Sequence, residues 1–284
     1  MRIAITGGTG LVGKFMVERA LAEGHQVLLL GRTPPPPIWR NLGIGHVRWQ
    51  LGDRPPELPV DLLVHCAFHH VPGRYRGGEG ADPELFRRLN VDGTLALFEA
   101  APHVRIAFLS SRAVYGPGPR AERPNEATPL KPDTLYGRVK AEVEAYLAPR
   151  DAVSLRATGV YGPPAPWQRH KWAELFDNFR AGRRIAPRCG TEVHGADLWQ
   201  ALSLAIDAGH IGPLNVSDLI LDRADLLHRY AEISRMTGKL PPHAPFDPAS
   251  EMDCSLLQGL GWRPKGSAGL DETLAQITAA ERNL

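Results

Sequence analysis

The stretch Arg2-Ile3-Ala4-Ile5-Thr6-Gly7-Gly8-Thr9-Gly10-Leu11-Val12-Gly13 decides the fold of this chain. A short apolar strand runs directly into glycines. From Leu11 to Glu23 the apolar residues Leu11, Val12, Phe15, Met16, Ala20 and Leu21 then recur with the spacing of one helical face. Gly24 is placed to cap that helix, and Val27 to Leu30 is a second apolar strand. The unit is therefore strand, helix, strand, closed within about 30 residues. Each glycine has a mechanical task in such a unit: a tight turn after the strand, close approach of backbone to a pyrophosphate, and close packing of helix on strand. The helix start adds unpaired N–H groups and the positive end of its dipole. Gly7, Thr9, Gly10, Leu11, Val12 and Gly13 are accordingly read as a phosphate cradle for a dinucleotide.

The pattern continues along the chain. Further strands are expected at 47–51, 62–66, 105–110 and 152–157, with helices within 83–101 and at 135–147. Strands that read as continuous apolar runs and alternate with helices predict an α/β fold, a doubly wound parallel Rossmann sheet covered on both faces. Past Gly159 the character changes, with Pro163-Pro164-Ala165-Pro166 breaking the chain and a loop then a helix over 167–181. Residue 226 onward is expected to be mostly helical, with a Pro-rich interruption at 241–248. The sequence thus divides into a dinucleotide-binding domain of residues 1–158, completed by 190–217, and a smaller, interleaved substrate-binding lobe of 159–189 and 218–284.

Composition removes several function classes. Lys and Arg total 33 against 31 Asp and Glu, a net charge of +2 without a concentrated basic face, so no nucleic-acid partner is expected. The three cysteines, Cys66, Cys189 and Cys254, are far apart and form no CxxC pair, which predicts neither a disulfide framework nor a metal site. Reduced thiols fit a cytoplasmic protein. No apolar run approaches the roughly 20 residues that span a bilayer. The strand begins at residue 2, which leaves no room for a signal peptide.

The ribose-reading position lies at the end of the second strand, where Gly31-Arg32 stands without a carboxylate. A carboxylate there would accept from a 2′-hydroxyl, whereas a guanidinium suits a 2′-phosphate, so NADP is preferred over NAD. Asp53, past the third strand, is a candidate partner for the adenine amino group or a turn residue. Ala67, just past the fourth strand, completes the cofactor-binding candidates. For chemistry, Tyr136-Gly137-Arg138-Val139-Lys140 sets Tyr and Lys at i and i+4, on one face of a helix. A phenol of pKa about 10 is a poor base at neutral pH, and a nearby ammonium stabilises its phenolate. Ser111, ending the fifth strand, can hydrogen-bond the same substrate oxygen. The catalytic candidates are Ser111, Tyr136 and Lys140, the last two serving the cofactor as well.

These motifs resemble the extended short-chain dehydrogenase/reductase family, the NAD-dependent epimerase/dehydratases. The resemblance spans nearly the whole chain. It takes in the glycine loop, Asp53, Asn90-Val91-Asp92-Gly93-Thr94, Leu109 to Gly116, Tyr136 with Lys140, Leu155 to Pro163, Val193-His194-x-x-Asp197-Leu198 and Leu260 to Pro264. It implies that Tyr136 is the acid/base and that Lys140 lowers its pKa and holds the nicotinamide ribose. It also implies a dimer built on the helix carrying Tyr136.

Three departures bear on function. Arg112-Ala113 replaces the acidic pair of dehydratases, Gly159 replaces an Asn directed at a substrate diphosphate, and Gly190 replaces an Arg. Dehydration is therefore not expected, and a nucleotide-sugar substrate is not indicated. The reading is an NAD(P)-dependent oxidoreductase that interconverts alcohol and ketone on a sugar-like or other small polar substrate. The alternatives are a sugar epimerase that retains NAD, and a non-catalytic regulator that senses NADP. Residues 72–82, with Arg74, Arg76 and four glycines, are read either as a mobile lid or as a solvated loop.

Overall fold

The computed structural model describes residues 1–71, 78–117, 123–245 and 250–282. Seven strands form one parallel sheet: β1 (Arg2–Thr6), β2 (Gln26–Gly31), β3 (Gly45–Arg48), β4 (Leu62–His65), β5 (Arg105–Ser111), β6 (Ala152–Ala157) and β9 (Gly212–Val216). Their spatial order is β3-β2-β1-β4-β5-β6-β9. Crossovers lead one way from β1 to β2 and the other way to β4. The topological switch point therefore lies between β1 and β4, beside the glycine loop, where open α/β sheets place ligands.

The inner strands are apolar on both faces because both are covered, whereas β3 at the sheet edge is at most half-buried. Along β1, Ile3 and Ile5 join a core with Val17 and Ala20 of α1 (Gly13–Ala22) and Leu198 and Leu202 of α7 (Gly195–Asp207). Ala4, pointing the other way, joins Phe98 of α4 (Gly93–Glu99) and Val139 and Val143 of α5 (Leu135–Leu147). Helix α1 ends as expected: Gly24 has φ 77°, its N–H bonds Leu21 O at 3.0 Å, and His25 N–H reaches back to Ala20 O at 2.9 Å.

Some boundaries differ from those expected. The third strand is residues 45–48, two residues earlier than its apolar run. The helix expected within 83–101 is interrupted: α3 (Pro83–Arg87) passes into a π-turn at Arg88–Asp92 before α4 resumes. Three strands are not evident from the sequence, namely β7 (Gly159–Tyr161), β8 (Cys189–His194) and β10 (Leu219–Asp222), which form a second sheet in the order β10-β8-β7. The stretch 190–217 therefore divides, with β8 in the small sheet and β9 in the large one. Against the small sheet, α6 (Ala173–Arg180), α8 (Arg223–Ser234) and α10 (Gly266–Arg282) gather a separate core of Tyr161, Phe176, Phe179, Tyr230 and Leu274. The rings of Phe176 and Tyr230 stack at 3.9 Å.

Candidate active site

The glycine loop is built as its sequence requires. Gly7 takes φ 63°, and a Cβ there would stand 2.8 Å from Ala67 N, so the turn and the segment after β4 are backbone against backbone. Gly10 N–H closes the turn on Gly7 O at 2.9 Å. A Cβ on Gly13 would lie 2.3 Å from that same oxygen, which is why the helix can start so close to the strand. Thr6, fully buried, ties the two strand ends together: its Oγ1 accepts from Cys66 N at 3.1 Å and Ala67 N at 3.0 Å and meets His65 Nδ1 at 3.0 Å. The other nitrogen of His65 meets Thr94 Oγ1 at 3.1 Å. Burial holds this imidazole neutral, its pKa lowered to about 3, and pushes the Cys66 thiol up to about 12.

Asn90, on the π-turn, clasps the next segment reciprocally. Its Oδ1 accepts from His69 N at 2.7 Å and its Nδ2 donates to His69 O at 2.8 Å and Phe86 O at 2.9 Å. A π-turn at such a place is a common functional distortion. Thr6 and Asn90 together fix residues 66–69, which present Phe68 edge-on to Tyr136 at 5.1 Å between ring centroids.

On the other side, Thr134 caps α5 by accepting from Gly137 N at 3.1 Å, two residues before Tyr136. Gly137 decides how near this helix comes. A Cβ there would stand 2.4 Å from Ala113 O, in the short 3₁₀ turn Arg112–Val114 that follows Ser111. Glycine at this position thus seats the Tyr136 helix directly on the Ser111 segment. Ser111 Oγ accepts from Ala113 N at 3.2 Å, which leaves the hydroxyl proton available to donate.

Lys140 is buried. Its Nζ donates to Leu109 O, two residues before Ser111 on β5, at 2.6 Å. The ammonium lies 4.4 Å from the Phe68 ring centroid, 4.6 Å from that of Phe108 and 6.0 Å from that of Tyr136. The structure thus gathers Ser111, Tyr136 and Lys140 at the sheet's carboxyl edge, with Ala67 one strand away and the glycine loop two. Burial lowers the Lys140 pKa to about 7, against the opposing pull of Cys66 and Glu144. Below about pH 7 folded and unfolded chains both carry this proton, and the full cost of a buried charge is felt. As pH rises from 7 toward the ordinary lysine value, only the unfolded chain still holds it, so stability rises. Lys140→Met is expected to raise the melting temperature at pH 7 and to flatten its rise above that pH, as differential scanning calorimetry would read, while activity is lost.

Other candidates stand apart. Arg32 is exposed just past β2, open to a ligand phosphate. Asp53 closes a turn, its carboxylate accepting from Gln50 N at 3.2 Å. Of the lid read at 72–82, residues 72–77 lie outside the described residues.

Sequence reasoning missed one assembly. Glu144 of α5 receives Arg156 of β6 through Nε at 3.0 Å and Nη2 at 2.6 Å, and also accepts from Ser110 Oγ. Arg156 Nη1 donates to Tyr115 OH at 2.8 Å, and that hydroxyl meets Asn215 Oδ1 of β9 at 2.7 Å. This buried network joins β5, α5, β6 and β9 beside the helix that carries Tyr136 and Lys140. In the sequence, Leu155-Arg156 and Tyr115 stand out only as parts of a motif.

The cradle of glycines, the buried Lys140 and the switch-point placement fit a nicotinamide dinucleotide. Comparison with known proteins agrees. Residues 3–216 match the model of the NAD dependent epimerase/dehydratase family, and the chain belongs to that family, of extended short-chain dehydrogenase type. It is 31% identical over 177 residues to dTDP-6-deoxy-L-talose 4-dehydrogenase (NAD(P)(+)) of Kitasatospora kifunensis, a match covering 58% of this chain and 54% of that protein, little more than half its length. It is 26% identical over 317 aligned positions to dTDP-glucose 4,6-dehydratase of Mycolicibacterium smegmatis, covering 99% and 94%. Among solved structures, UDP-glucose 4-epimerase of Thermus thermophilus in complex with NAD superposes with a TM-score of 0.78 at 27% identity, covering 99% and 100%. Among the described residues no helix is long and apolar enough to cross a membrane, and all three cysteines are free.

Proposed function

We propose that this protein interconverts an alcohol and a ketone on a sugar-like or small polar substrate, with Tyr136 moving the proton. The observation that carries this reading is the seating of the Tyr136–Lys140 helix on the Ser111 turn through Gly137. When bound, a nicotinamide dinucleotide would supply the hydride donor or acceptor. The amides of residues 11–13 and the start of α1 would hold its pyrophosphate, and Lys140 would hold the nicotinamide ribose. Ser111 donates to the substrate oxygen and fixes it against Tyr136. In the oxidising direction the Tyr136 phenolate takes the hydroxyl proton; in reduction the phenol returns it. The ammonium of Lys140 and a phenolate at Tyr136 would favour each other's charged forms.

Arg32 supports NADP, and the NAD(P)(+) in the name of the Kitasatospora relative is in keeping with it. Isothermal titration with NADPH and NADH checks this. NADPH is expected to bind the unmodified protein more tightly. Arg32→Ala is expected to weaken NADPH by roughly tenfold, the worth of a charge-assisted hydrogen bond, and to leave NADH unchanged. Equal affinities in both proteins would refute the NADP preference.

A second reading, a sugar epimerase with retained NAD, is favoured by the likeness to the Thermus epimerase. NAD that survives purification, with no net oxidation in turnover, would select it. Gly159 and Gly190 favour a substrate without a nucleotide diphosphate. The place beside Gly159 is taken by the ion pair of Lys171 with Glu192, whose end atoms would lie 2.5 Å from a Cβ there.

A further inference from the structure

We propose that Trp167 and Gln168, which the second lobe carries, are dinucleotide-binding residues that strap the cofactor onto the glycine loop. The inference rests on the dinucleotide reading of that loop. After β7 the chain leaves the small sheet, passes Ala165, which is buried, and reaches back to the first turn of the molecule. There Gln168 Nε2 donates to Thr9 O, the carbonyl in the middle of the glycine loop, and Trp167 Nε1 stands 3.4 Å from the same oxygen. Two side chains of one lobe thus converge on one carbonyl of the other.

The other end of the Gln168 amide points to a ligand. Its Oε1 is buried and has no hydrogen-bond partner among the described residues. A buried acceptor without a donor costs free energy, and native proteins retain one chiefly where a ligand or water completes it. A ribose hydroxyl is such a donor, and a phosphate oxygen would accept from Nε2 once Thr9 O is released. Trp167 extends the strap toward the adenosine side. Its ring meets Trp39 edge-on at 4.9 Å, and Trp39 lies on α2 (Pro37–Arg40), shortly after Arg32. Trp39 is buried, whereas Trp167 keeps 37% of its surface exposed, area that a bound dinucleotide would cover. The strap is fastened at both ends. A Cβ on Gly162 would stand 2.4 Å from the Phe15 ring of α1, so the chain leaves against that helix, and Lys171 pairs with Glu192 of β8 at the far end.

The test is the release rate of NADPH, read by stopped-flow energy transfer from tryptophan to the reduced nicotinamide on chasing with unlabelled NADP. The proteins compared are the unmodified chain, Gln168→Ala, Gln168→Glu and Trp167→Phe, with thermal melts alongside. Gln168→Ala is expected to release NADPH roughly tenfold faster, the worth of one hydrogen bond at the upper end, at an unchanged melting temperature. Gln168→Glu is expected to release it faster still, through repulsion of the phosphates, and Trp167→Phe to lose part of the energy transfer. Release at the unmodified rate from both Gln168 variants would overturn the strap while leaving the dinucleotide reading intact. Failure of the unmodified protein to bind NADPH or NADH would overturn both.

Discussion

Tyr136→Phe is expected to lower kcat by roughly a hundredfold to ten-thousandfold while leaving dinucleotide affinity and melting temperature at their unmodified values. The change removes one oxygen and keeps the ring, so the edge-on contact with Phe68 at 5.1 Å survives. Thr134 still caps the helix, and Gly137 still seats it on the Ser111 turn. What disappears is the group that takes and returns the proton. Because that group acts in the transition state rather than in binding, the loss falls on kcat and kcat/KM alike. Substrate screening with both proteins, followed by steady-state kinetics, checks the size of the effect.

Arg156→Met is expected to destabilise the protein by about 3–5 kcal/mol, because it leaves Glu144 buried without its partner. The pair is almost wholly out of solvent, its side chains 5% and 7% exposed, and the guanidinium holds Glu144 through two nitrogens. Tyr115 also loses a donor at 2.8 Å, and the link to Asn215 slackens. In a chain of this length the melting temperature should fall on the order of 10 °C. Replacing Glu144 by Leu as well removes the stranded charge, so the double variant should be more stable than Arg156→Met alone, although Ser110 Oγ is then left without its acceptor. If the double variant melts no higher than the single one, the uncompensated charge is not the cause. Since α5 carries Glu144, Tyr136 and Lys140 together, kcat is expected to fall in the single variant even below its melting range.

What the sequence disclosed was local. Residues 2–13 declare a strand, a turn and a helix within one stretch, and Tyr136 and Lys140 declare a shared face through their spacing. The doubly wound sheet followed from repeating that unit, and its inner strands are buried on both faces as their apolar runs require. The assemblies that escaped notice join residues distant in the chain. Gly159 pairs with Glu192, and β8 is only half-buried along most of its length and contains Gly190, so no alternation marks it as a strand. The π-turn leaves no compositional trace, and the clasp of Asn90 on His69 depends on it. Gln168 reaches Thr9 across 159 positions, which no local pattern can announce. Glu144 and Arg156 read as one charge on an amphipathic helix and one in a strand. Only the packing of α5 on β6 makes them a pair.

The central claim is that this site moves a hydride and a proton at one carbinol carbon, with Tyr136 as the proton carrier. Its most direct test uses NADPH and NADH deuterated at the transferable position of the nicotinamide, incubated with the protein and a panel of keto-sugars and keto-nucleotide sugars. Mass spectrometry of the products follows. Deuterium is expected on a single carbinol carbon with the unmodified protein, and labelling roughly a hundredfold slower or more with Tyr136→Phe, within the span that a positioned acid/base supplies. Labelling at equal rates by the two proteins, or bound dinucleotide that never transfers its label to any of these substrates, would contradict the claim.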